Sequence, residues 1–375
     1  MKNISKYKVD KSIILCILVF MIISIISIGS AEALLSNDTS LIFKQLMWYA
    51  IGFILVFIVV FIGNHILYKN SWFLYIFGVL LLFLVLIFGA EINNARCWFR
   101  IKGIGNFQPS EFMKIILIIT LGKVINKFKI KYNNPTLMEE FKFLLKVFVI
   151  VGIPSFLTFL EPDTGVVLIY LLITIIMLFI SGIRYRWFVI LFGTLGIFIG
   201  FVLITYFLNN DLFIDIFGSS FFLRVDRLLD WSSGSGYQLE NGITSIGSGG
   251  LFGFGINNTP IYFPEPQTDF IFAVFANNFG FMGSLTLIIL LIFFDLKLVK
   301  LAIESPTNIN KYIISGIIGM LLYQQLQNIG MTIGIMPITG ITLPFISYGG
   351  SSLLSYMIML GIILNISNEN LRYRN

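Results

Sequence analysis

Long apolar runs alternate with short polar segments along the whole chain. A helix needs about 20 apolar residues to cross a bilayer. Runs of about this length lie near residues 12–30, 45–63, 72–89, 110–126, 144–160, 165–182, 187–206, 270–294, 312–333 and 345–366. The pattern predicts an all-α integral membrane protein with about ten transmembrane helices, built as a single polytopic domain over residues 1–375.

Composition supports lipid as the main solvent. Hydrophobic residues make up 57% of the chain and charged residues 12%, whereas a soluble domain carries about 25% charged residues. The net charge of +6 is a property that nucleic-acid-binding proteins share, but the placement of the basic residues fits membrane orientation instead. We therefore expect membrane lipid as a partner and no nucleic acid. The single histidine, His65, excludes histidine-rich metal sites.

Lysine and arginine residues set the predicted orientation. With the N-terminus cytoplasmic, the inner segments hold 16 of the 25 and the outer loops hold 6, and the other three (Lys114, Lys123 and Lys146) lie in or beside spans. The positive-inside rule then places both termini in the cytoplasm. The outer face carries a loop at about 90–109 and a large extracellular loop at about 207–268, between helices 7 and 8. Function is expected there, because long loops on a rigid scaffold tend to carry it.

Two polar clusters flank the fourth and sixth helices. Glu111 and Lys114 are spaced i, i+3, so their side chains share a helix face. They form either a self-neutralising ion pair or the lining of a polar cavity. Asp163, in the turn at 161–165, either caps the sixth helix or serves a site.

Two more clusters precede the eighth helix. The glycine-rich segment at 236–255 predicts close backbone packing, with a cradle for a lipid diphosphate as the alternative. It lacks the lysine and hydroxyl residue of a nucleotide-binding loop. Asp269 opens the eighth helix, where a carboxylate is either an N-cap or, if partly buried, a general base.

Five ordered motifs resemble those of the SEDS family, which includes RodA, FtsW and SpoVE. PEPQTDFIFAV, around Asp269, is similar to the family's PExHTDFIFA motif. FQPSEFMK, EPDTG and GYQLENGITSIGSGGLFGFG resemble three others, and the segment from Asn328 to Ser352 resembles the family's C-terminal motif almost letter for letter. The resemblance covers most of the chain and is closest to the RodA members.

The resemblance implies a peptidoglycan glycosyltransferase in the bacterial cytoplasmic membrane, which polymerises lipid II into glycan strands on the outer face. Asp269 would be the catalytic general base. It would take the proton from the acceptor sugar's 4-hydroxyl as that oxygen attacks C1 of the donor sugar, with inversion. Undecaprenyl diphosphate leaves, and its charge requires basic residues or a divalent metal ion, Mg²⁺ or Mn²⁺. The implied partner is a class B penicillin-binding protein, a transpeptidase, which contacts helices 8 and 9.

The substrate-binding residues implied by the motifs and by charge are of two kinds. The basic ones are Arg96, Arg100, Lys102, Arg224 and, deeper in the cavity, Lys114. The others are Gln108, Glu111, Asp163, Glu265, Thr268 and Ser347.

Several positions depart from the family pattern. Gln267 fills the slot of a histidine, Asn277 and Asn278 replace two glutamates, Cys97 replaces an arginine and Glu161 replaces a glutamine. Each change removes or alters a charge near the expected site. Two alternatives to a polymerase therefore remain, a flippase for the lipid-linked precursor and a non-catalytic scaffold for a cell-wall transpeptidase. A flippase requires charges spaced across the bilayer, and here they cluster near the outer ends of the helices.

Overall fold

Helices dominate the computed structural model, which describes residues 7–35, 40–92, 95–101, 105–219, 221–222, 225, 236–258 and 260–373. Ten helices in these ranges have 17 or more residues. They are α1 Lys11–Glu32, α2 Leu41–Ile62, α4 Ser71–Phe88, α5 Pro109–Lys131, α6 Leu137–Leu160, α7 Thr164–Ile180, α8 Tyr185–Leu208, α11 Ile271–Ile303, α12 Asn308–Thr332 and α13 Gly350–Tyr373. Three shorter helices are α3 Asn64–Lys69, α9 Asn210–Phe217 and α10 Tyr237–Ser248.

The ten predicted spans overlap the ten long helices in order, so the predicted fourth, sixth, eighth and ninth helices are α5, α7, α11 and α12. Six of the ten long helices, α1, α2, α4, α6, α8 and α13, are long and apolar enough to cross a membrane. The expectation of a multi-pass helical membrane protein is therefore confirmed. Ten crossings, and the side on which each terminus lies, stay predictions.

A small antiparallel sheet corrects the all-α prediction. Its strands are β1 Ala90–Ile92, β2 Ala95–Ile101 and β3 Gly105–Phe107, in the order β1-β2-β3. β2 is rich in aromatic and β-branched residues, which favour a pleated, half-buried surface. The loop predicted at about 90–109 is thus a structured sheet. The predicted loop at 207–268 likewise contains α9 and α10.

The last long helix begins later than predicted. The span was expected from residue 345, but α13 starts at Gly350. Phe345 has a φ of +63°, a left-handed conformation that a helix cannot include. The Ser347 hydroxyl accepts a bond of 2.8 Å from the main-chain N–H of Leu343, so the chain turns here before the helix begins.

Close helix packing depends on small residues. An added Cβ at Gly52 of α2 would lie 2.6 Å from Met357 of α13, and one at Gly361 of α13 would lie 2.7 Å from Val59 of α2. Such glycines let helix backbones approach, which drives association in a lipid environment. In contrast, α8 packs loosely, with only Val202 and Thr205 buried along its length.

Hydrogen bonds sort the connections between helices into two ends of the bundle. At one end the connection after α4 bonds to the turn after α6 through the pairs Cys97–Glu161 and Gln108–Asp163. At the same end the segment after α12 bonds to the turn before α11 through the pair Ser347–Thr268. At the other end the N-terminal segment meets the end of α13, and α3 meets the start of α12, through the pairs Tyr7–Asn365 and Tyr68–Asn310. We call these the site end and the lysine end.

The glycine-rich segment after α10 packs into a break in α11. Gly280 interrupts α11 with a φ of +63° and a ψ of −162°. Across the break, the N–H of Phe281 donates to the carbonyl of Gly250 at 2.9 Å, and the N–H of Gly255 donates to that of Asn278 at 3.0 Å. The expectation of close backbone packing in this segment is confirmed.

Gly253→Ala is expected to destabilise the protein, by about 1–3 kcal/mol for backbone strain alone. Gly253 has a φ of +79°, and an added Cβ would overlap the carbonyl group of Asn278. Gly247, in α10, has nothing within 4 Å of an added Cβ, so Gly247→Ala is the matched control and should be neutral or slightly stabilising. Thermal unfolding of the purified protein in detergent measures both. Equal melting temperatures for the two variants would contradict the packing described.

Candidate active site

A cavity of about 1180 Å³ lies at the site end of the bundle. Six parts of the chain contribute walls to it: the start of α2, β2 and β3 with the start of α5, the turn between α6 and α7, the turn before α11, Gln324 of α12, and the segment before α13 with the first residues of that helix. Among the predicted site residues, those that line the cavity are Arg100, Gln108, Glu111, Asp163, Glu265, Thr268 and Asp269. The fold thus brings together residues that are far apart in the sequence.

Hydrogen bonds to its main-chain carbonyls hold the turn that carries Asp269. The Asn328 amide donates to the carbonyl of Asp269 at 2.9 Å, and the Ser347 hydroxyl donates to that of Thr268 at 2.7 Å. The N–H of Tyr348 donates to the carbonyl of Gln267 at 2.8 Å. Ser347, predicted to bind substrate, is buried and does not line the cavity, so its contacts position the turn instead.

The Asp269 carboxylate does not cap α11. The N-cap of α11 is Phe270, and no side chain bonds to the first turn of the helix, so the capping alternative is wrong. Burial, helped by the neighbouring Glu265 carboxylate, raises the pKa of Asp269 to about 7. A carboxylate with this pKa is partly ionised at neutral pH and still basic enough to accept a proton, which suits general-base catalysis.

Glu265 organises the turn before Asp269. Its Oε2 accepts hydrogen bonds of 3.0 Å from the Thr268 hydroxyl and from the Gln267 amide. Gln267, which fills the histidine slot of the family motif, therefore bonds to a carboxylate at the cavity wall.

Glu111 and Lys114 form a buried ion pair. Lys114 Nζ lies 2.8 Å from Glu111 Oε2 and 5.5 Å from the ring centroid of Tyr356. The ion-pair interpretation is therefore confirmed, and Glu111 also lines the cavity, as the alternative required. Lys114 itself is fully buried and does not line the cavity, so its charge stabilises Glu111.

Asp163 caps α7, as one alternative predicted, and also lines the cavity. Its Oδ1 accepts from the N–H of Val166 at 3.2 Å, as an N-cap of α7 does, while its Oδ2 accepts from the Gln108 amide at 2.9 Å. Burial raises the pKa of Asp163 to about 6. The Gln108–Asp163 pair joins the start of α5 to the start of α7 across the cavity wall.

Of the predicted basic residues that the structure describes, Arg96, Arg100 and Lys114, only Arg100 lines the cavity. Arg96 forms an exposed salt bridge of 3.0 Å with Glu91 instead. Arg224 and Lys102 lie outside the described residues. Lys44, at the start of α2, lines the cavity and was missed. The signal was a lysine directly before the predicted span 45–63, one helical turn from Trp48, which also lines the cavity.

Two of the family departures contact each other. The buried Cys97 thiol donates to the main-chain carbonyl of Glu161 at 2.8 Å. The Glu161 side chain is fully buried, and neither of its oxygens has a hydrogen-bond partner among the described residues. Burial raises the pKa of Glu161 to about 9, so it is a neutral acid at pH 7. It therefore resembles in charge the glutamine that it replaces.

A third departure lies away from the cavity. The Asn277 amide donates to the carbonyl of Ser245 at 2.8 Å and to the Ser248 hydroxyl at 3.0 Å. Asn277 thus joins α11 to the last turn of α10. Neither Asn277 nor Asn278 lines the cavity.

The cavity does not contain a ready-made metal site. Within the described ranges, no group of three or more histidine, cysteine, aspartate or glutamate side chains could hold a metal ion. The predicted Mg²⁺ or Mn²⁺ stays a prediction, since one or two carboxylates together with substrate phosphates are enough to hold such an ion. No step proposed below depends on a metal.

Comparison with known proteins confirms the family resemblance. The family model FTSW_RODA_SPOVE, described as cell cycle protein, matches residues 10–372. Stage V sporulation protein E of Bacillus subtilis (strain 168) is 34% identical over 278 residues, which cover 71% of this chain and 70% of that protein. Peptidoglycan glycosyltransferase MrdB of Escherichia coli (strain K12) is 30% identical over 368 residues, 96% of this chain and 94% of that protein.

The fold also matches a solved structure. A chain from a peptidoglycan synthase complex, in a study of how polymerization and crosslinking are coordinated, superposes with a TM-score of 0.78 at 27% identity. The match covers 96% of this chain and 98% of that one.

Glu161→Gln is expected to flatten the pH dependence of stability. Because the folded state holds the Glu161 proton up to about pH 9 and the unfolded chain releases it near 4.5, ionisation of the unfolded chain lowers wild-type stability as pH rises between these values. The variant should lose this slope and melt above wild type at about pH 8. Glu240→Gln, at an exposed glutamate, should keep the wild-type slope. A wild-type slope in Glu161→Gln would contradict the raised pKa.

Proposed function

The chain belongs to the FtsW, RodA and SpoVE family, and we propose that this peptidoglycan glycosyltransferase polymerises lipid II on the outer face of the bacterial cytoplasmic membrane. The observation that carries the proposal is the Asp269 carboxylate. It lies at the wall of a large cavity, has a pKa near neutrality, and shares the cavity with the cationic side chains of Lys44 and Arg100.

The chemistry is a single displacement at the anomeric carbon of the donor sugar. Asp269 accepts the proton of the acceptor's 4-hydroxyl as that oxygen forms a bond to C1. The bond from C1 to the diphosphate oxygen breaks, and its electron pair leaves with undecaprenyl diphosphate. Because the nucleophile enters opposite the leaving group, the anomeric configuration inverts. A positioned general base contributes about 10²–10⁴-fold to such a reaction.

Lys44 and Arg100 are assigned to the diphosphate. Negative charge grows on this group as the bond to C1 breaks, and fixed cations stabilise that charge most effectively where water is excluded. Within the described part of the chain, neither residue forms a salt bridge, so both charges are available to a ligand. Arg96, held by Glu91, is not assigned a role.

The polar residues of the wall are assigned to the sugars and the peptide stem of the substrate. Gln108 and Asp163 form one hydrogen-bonded pair, and Glu265 and Thr268 form another. Both pairs line the cavity and offer donors and acceptors to hydroxyl and amide groups. Lys114 acts through Glu111 and Ser347 acts through the Asp269 turn, so we assign both as positioning residues.

The proposed topology has ten crossings, with both termini cytoplasmic. The excess of lysine and arginine on the inner segments supports it, as does the gathering of the connections at two ends of the bundle. The site end would face outward, where lipid II displays its sugars after transport.

A class B penicillin-binding protein is the proposed partner, on the lipid-facing side of α11 and α12. Exposed apolar side chains there include Phe281, Met282 and Leu285 of α11 and Leu326 of α12. The similar chain in a peptidoglycan synthase complex also supports a partner that crosslinks the strands.

Asp269→Asn is expected to reduce polymerisation by about 10²–10⁴-fold, because the amide cannot accept the hydroxyl proton. The assay supplies lipid II to the purified protein with its candidate transpeptidase, with and without divalent metal, and detects glycan strands. Glu240→Gln, an exposed carboxylate on the same side of the proposed membrane, should retain activity.

The same assay separates the alternatives. Undiminished product from Asp269→Asn would overturn the general-base assignment. The absence of product from wild type with any transpeptidase would favour the scaffold. Lipid II translocation in liposomes without polymerisation would favour the flippase.

Activity is expected to rise with pH through a midpoint near 7, because only ionised Asp269 accepts a proton. Glu265 is one cause of the raised pKa, so Glu265→Gln should move the midpoint of kcat/KM to lower pH. Glu240→Gln should leave the midpoint in place. An unchanged or higher midpoint in Glu265→Gln would contradict the proposed coupling of the two carboxylates.

A further inference from the structure

A second cavity, of about 640 Å³, lies at the lysine end of the bundle between α4, α5 and α6. Its charged lining residues are five lysines and one glutamate: Lys123, Lys127, Lys131, Lys142, Lys146 and Glu139. The cavity is far from Asp269 in the fold, and nothing in the proposed glycosyl transfer uses it.

The lysines form two stripes that share this cavity. Lys123, Lys127 and Lys131 follow one another at i, i+4 and i+8 on α5, and Lys142 and Lys146 are spaced i, i+4 on α6. Like charges at this spacing repel each other and destabilise the helix. The positive-inside rule explains why lysines lie at this end of the bundle. It does not explain why five of them line one cavity.

Nearby carboxylates neutralise only part of the lysine charge, since the cavity lining holds one carboxylate, that of Glu139, against five lysines. Glu139 Oε2 accepts from the N–H of Thr136 at 2.7 Å and from its hydroxyl at 2.9 Å, so it completes the capping box of α6. Glu140 is buried and accepts from the indole of Trp187 at 2.9 Å, with Arg184 at 3.8 Å. Among the described residues, none of the five lysines forms a salt bridge.

Aromatic rings line the cavity beneath the charges. Lys146 Nζ lies 5.6 Å from the ring centroid of Trp72, and the rings of Phe128 and Phe143 are stacked with centroids 4.1 Å apart. A free phosphate ion surrounded by water gains nothing from such a lining. A ligand that joins an anionic group to hydrocarbon does.

Two apolar stripes lead from the cavity along the helices. On α4, Trp72 is followed at i+4 and i+8 by the exposed Ile76 and Leu80. On α6, Lys146 is followed at i+3 and i+7 by the exposed Val149 and Ile153. Both stripes run from the lysine end towards the middle of the helices, where acyl chains would lie.

We propose that this cavity binds the phosphate headgroup of an anionic membrane lipid, such as phosphatidylglycerol or cardiolipin. The lysines hold the phosphate, and the acyl chains lie along the stripes on α4 and α6. Basic cavities between transmembrane helices bind anionic headgroups in this manner. The site is independent of the role assigned to Asp269.

The test compares two triple variants of the full-length protein in a neutral detergent. Lys127→Gln, Lys142→Gln and Lys146→Gln are combined in the cavity variant. Lys11→Gln, Lys300→Gln and Lys311→Gln are combined in the control, which removes the same charge at the same end of the bundle but outside the cavity. Native mass spectrometry measures the binding of phosphatidylglycerol and of phosphatidylcholine to each protein.

Wild type is expected to bind phosphatidylglycerol more tightly than phosphatidylcholine. The cavity variant should bind phosphatidylglycerol about 100-fold more weakly, at roughly fivefold for each of the three lysines removed. The control should stay within about twofold of wild type. Should the cavity variant fail to fold, Lys142→Gln with Lys146→Gln is the smaller change, with a loss of about 25-fold expected.

Three results would overturn the proposal. One is an equal loss of phosphatidylglycerol binding in the cavity variant and the control, which would indicate a general effect of charge. Another is equal affinity of wild type for the two lipids. The third is displacement of the lipid by inorganic phosphate or diphosphate at matched concentration, which would show that the cavity takes a free anion.

Discussion

A bilayer offers no hydrogen bonds to an exposed peptide group, and this constraint governs where irregular backbone occurs in the fold. The break in α11 is tolerated because the glycine-rich segment supplies partners to its main-chain groups. The turn before α11 is held in the same way, by side chains from α12 and from the segment before α13. Both of these non-helical stretches therefore have their main-chain groups bonded to protein, and the turn before α11 carries Asp269 of the candidate site.

Asn328 shows how few contacts are needed to place the Asp269 turn. Its amide donates both to the carbonyl of Asp269 and to that of Ile341, at 2.9 and 2.8 Å. One buried side chain of α12 thus connects the turn before α11 with the segment before α13. A buried amide with two partners is costly to replace, because both carbonyls would lose their donor. This explains, in physical terms, why the C-terminal motif and the motif around Asp269 belong to one site.

Hydrophobic periodicity and motif resemblance predicted the positions of the ten long helices and the grouping of most site residues. Local pattern could not predict the start of α13, because the left-handed Phe345 is stabilised by contacts with distant residues, among them the hydroxyl of Tyr49. The sheet at 90–107 was hidden for a similar reason, since its strands are short and depend on pairing. Lys44 was missed because its role comes from what it faces across the cavity, not from its neighbours in the chain.

The charges of the site residues were the property that comparison with the family motifs predicted least well. Cys97 and Glu161 look like two separate losses at the site, yet they lie in contact, and burial keeps the glutamate neutral. Conversely, Arg96 and Lys114 carry charges that Glu91 and Glu111 neutralise. The charge that a residue contributes to a site can therefore be judged only when its burial and its ion pairs are known.

The break at Gly280 divides α11 into two rods with different surroundings. The short rod, 271–279, is joined to α10 by Asn277. Phe270, directly before it, also packs its ring against Gly242 of α10. The long rod, 281–303, lies among the helices of the bundle. Because the helical hydrogen bonds are interrupted at Gly280, the Asp269 turn is held by Asn328 of α12 and by Ser347, and not by the axis of the long rod. The tilt of the long rod is therefore not what sets the direction of the carboxylate.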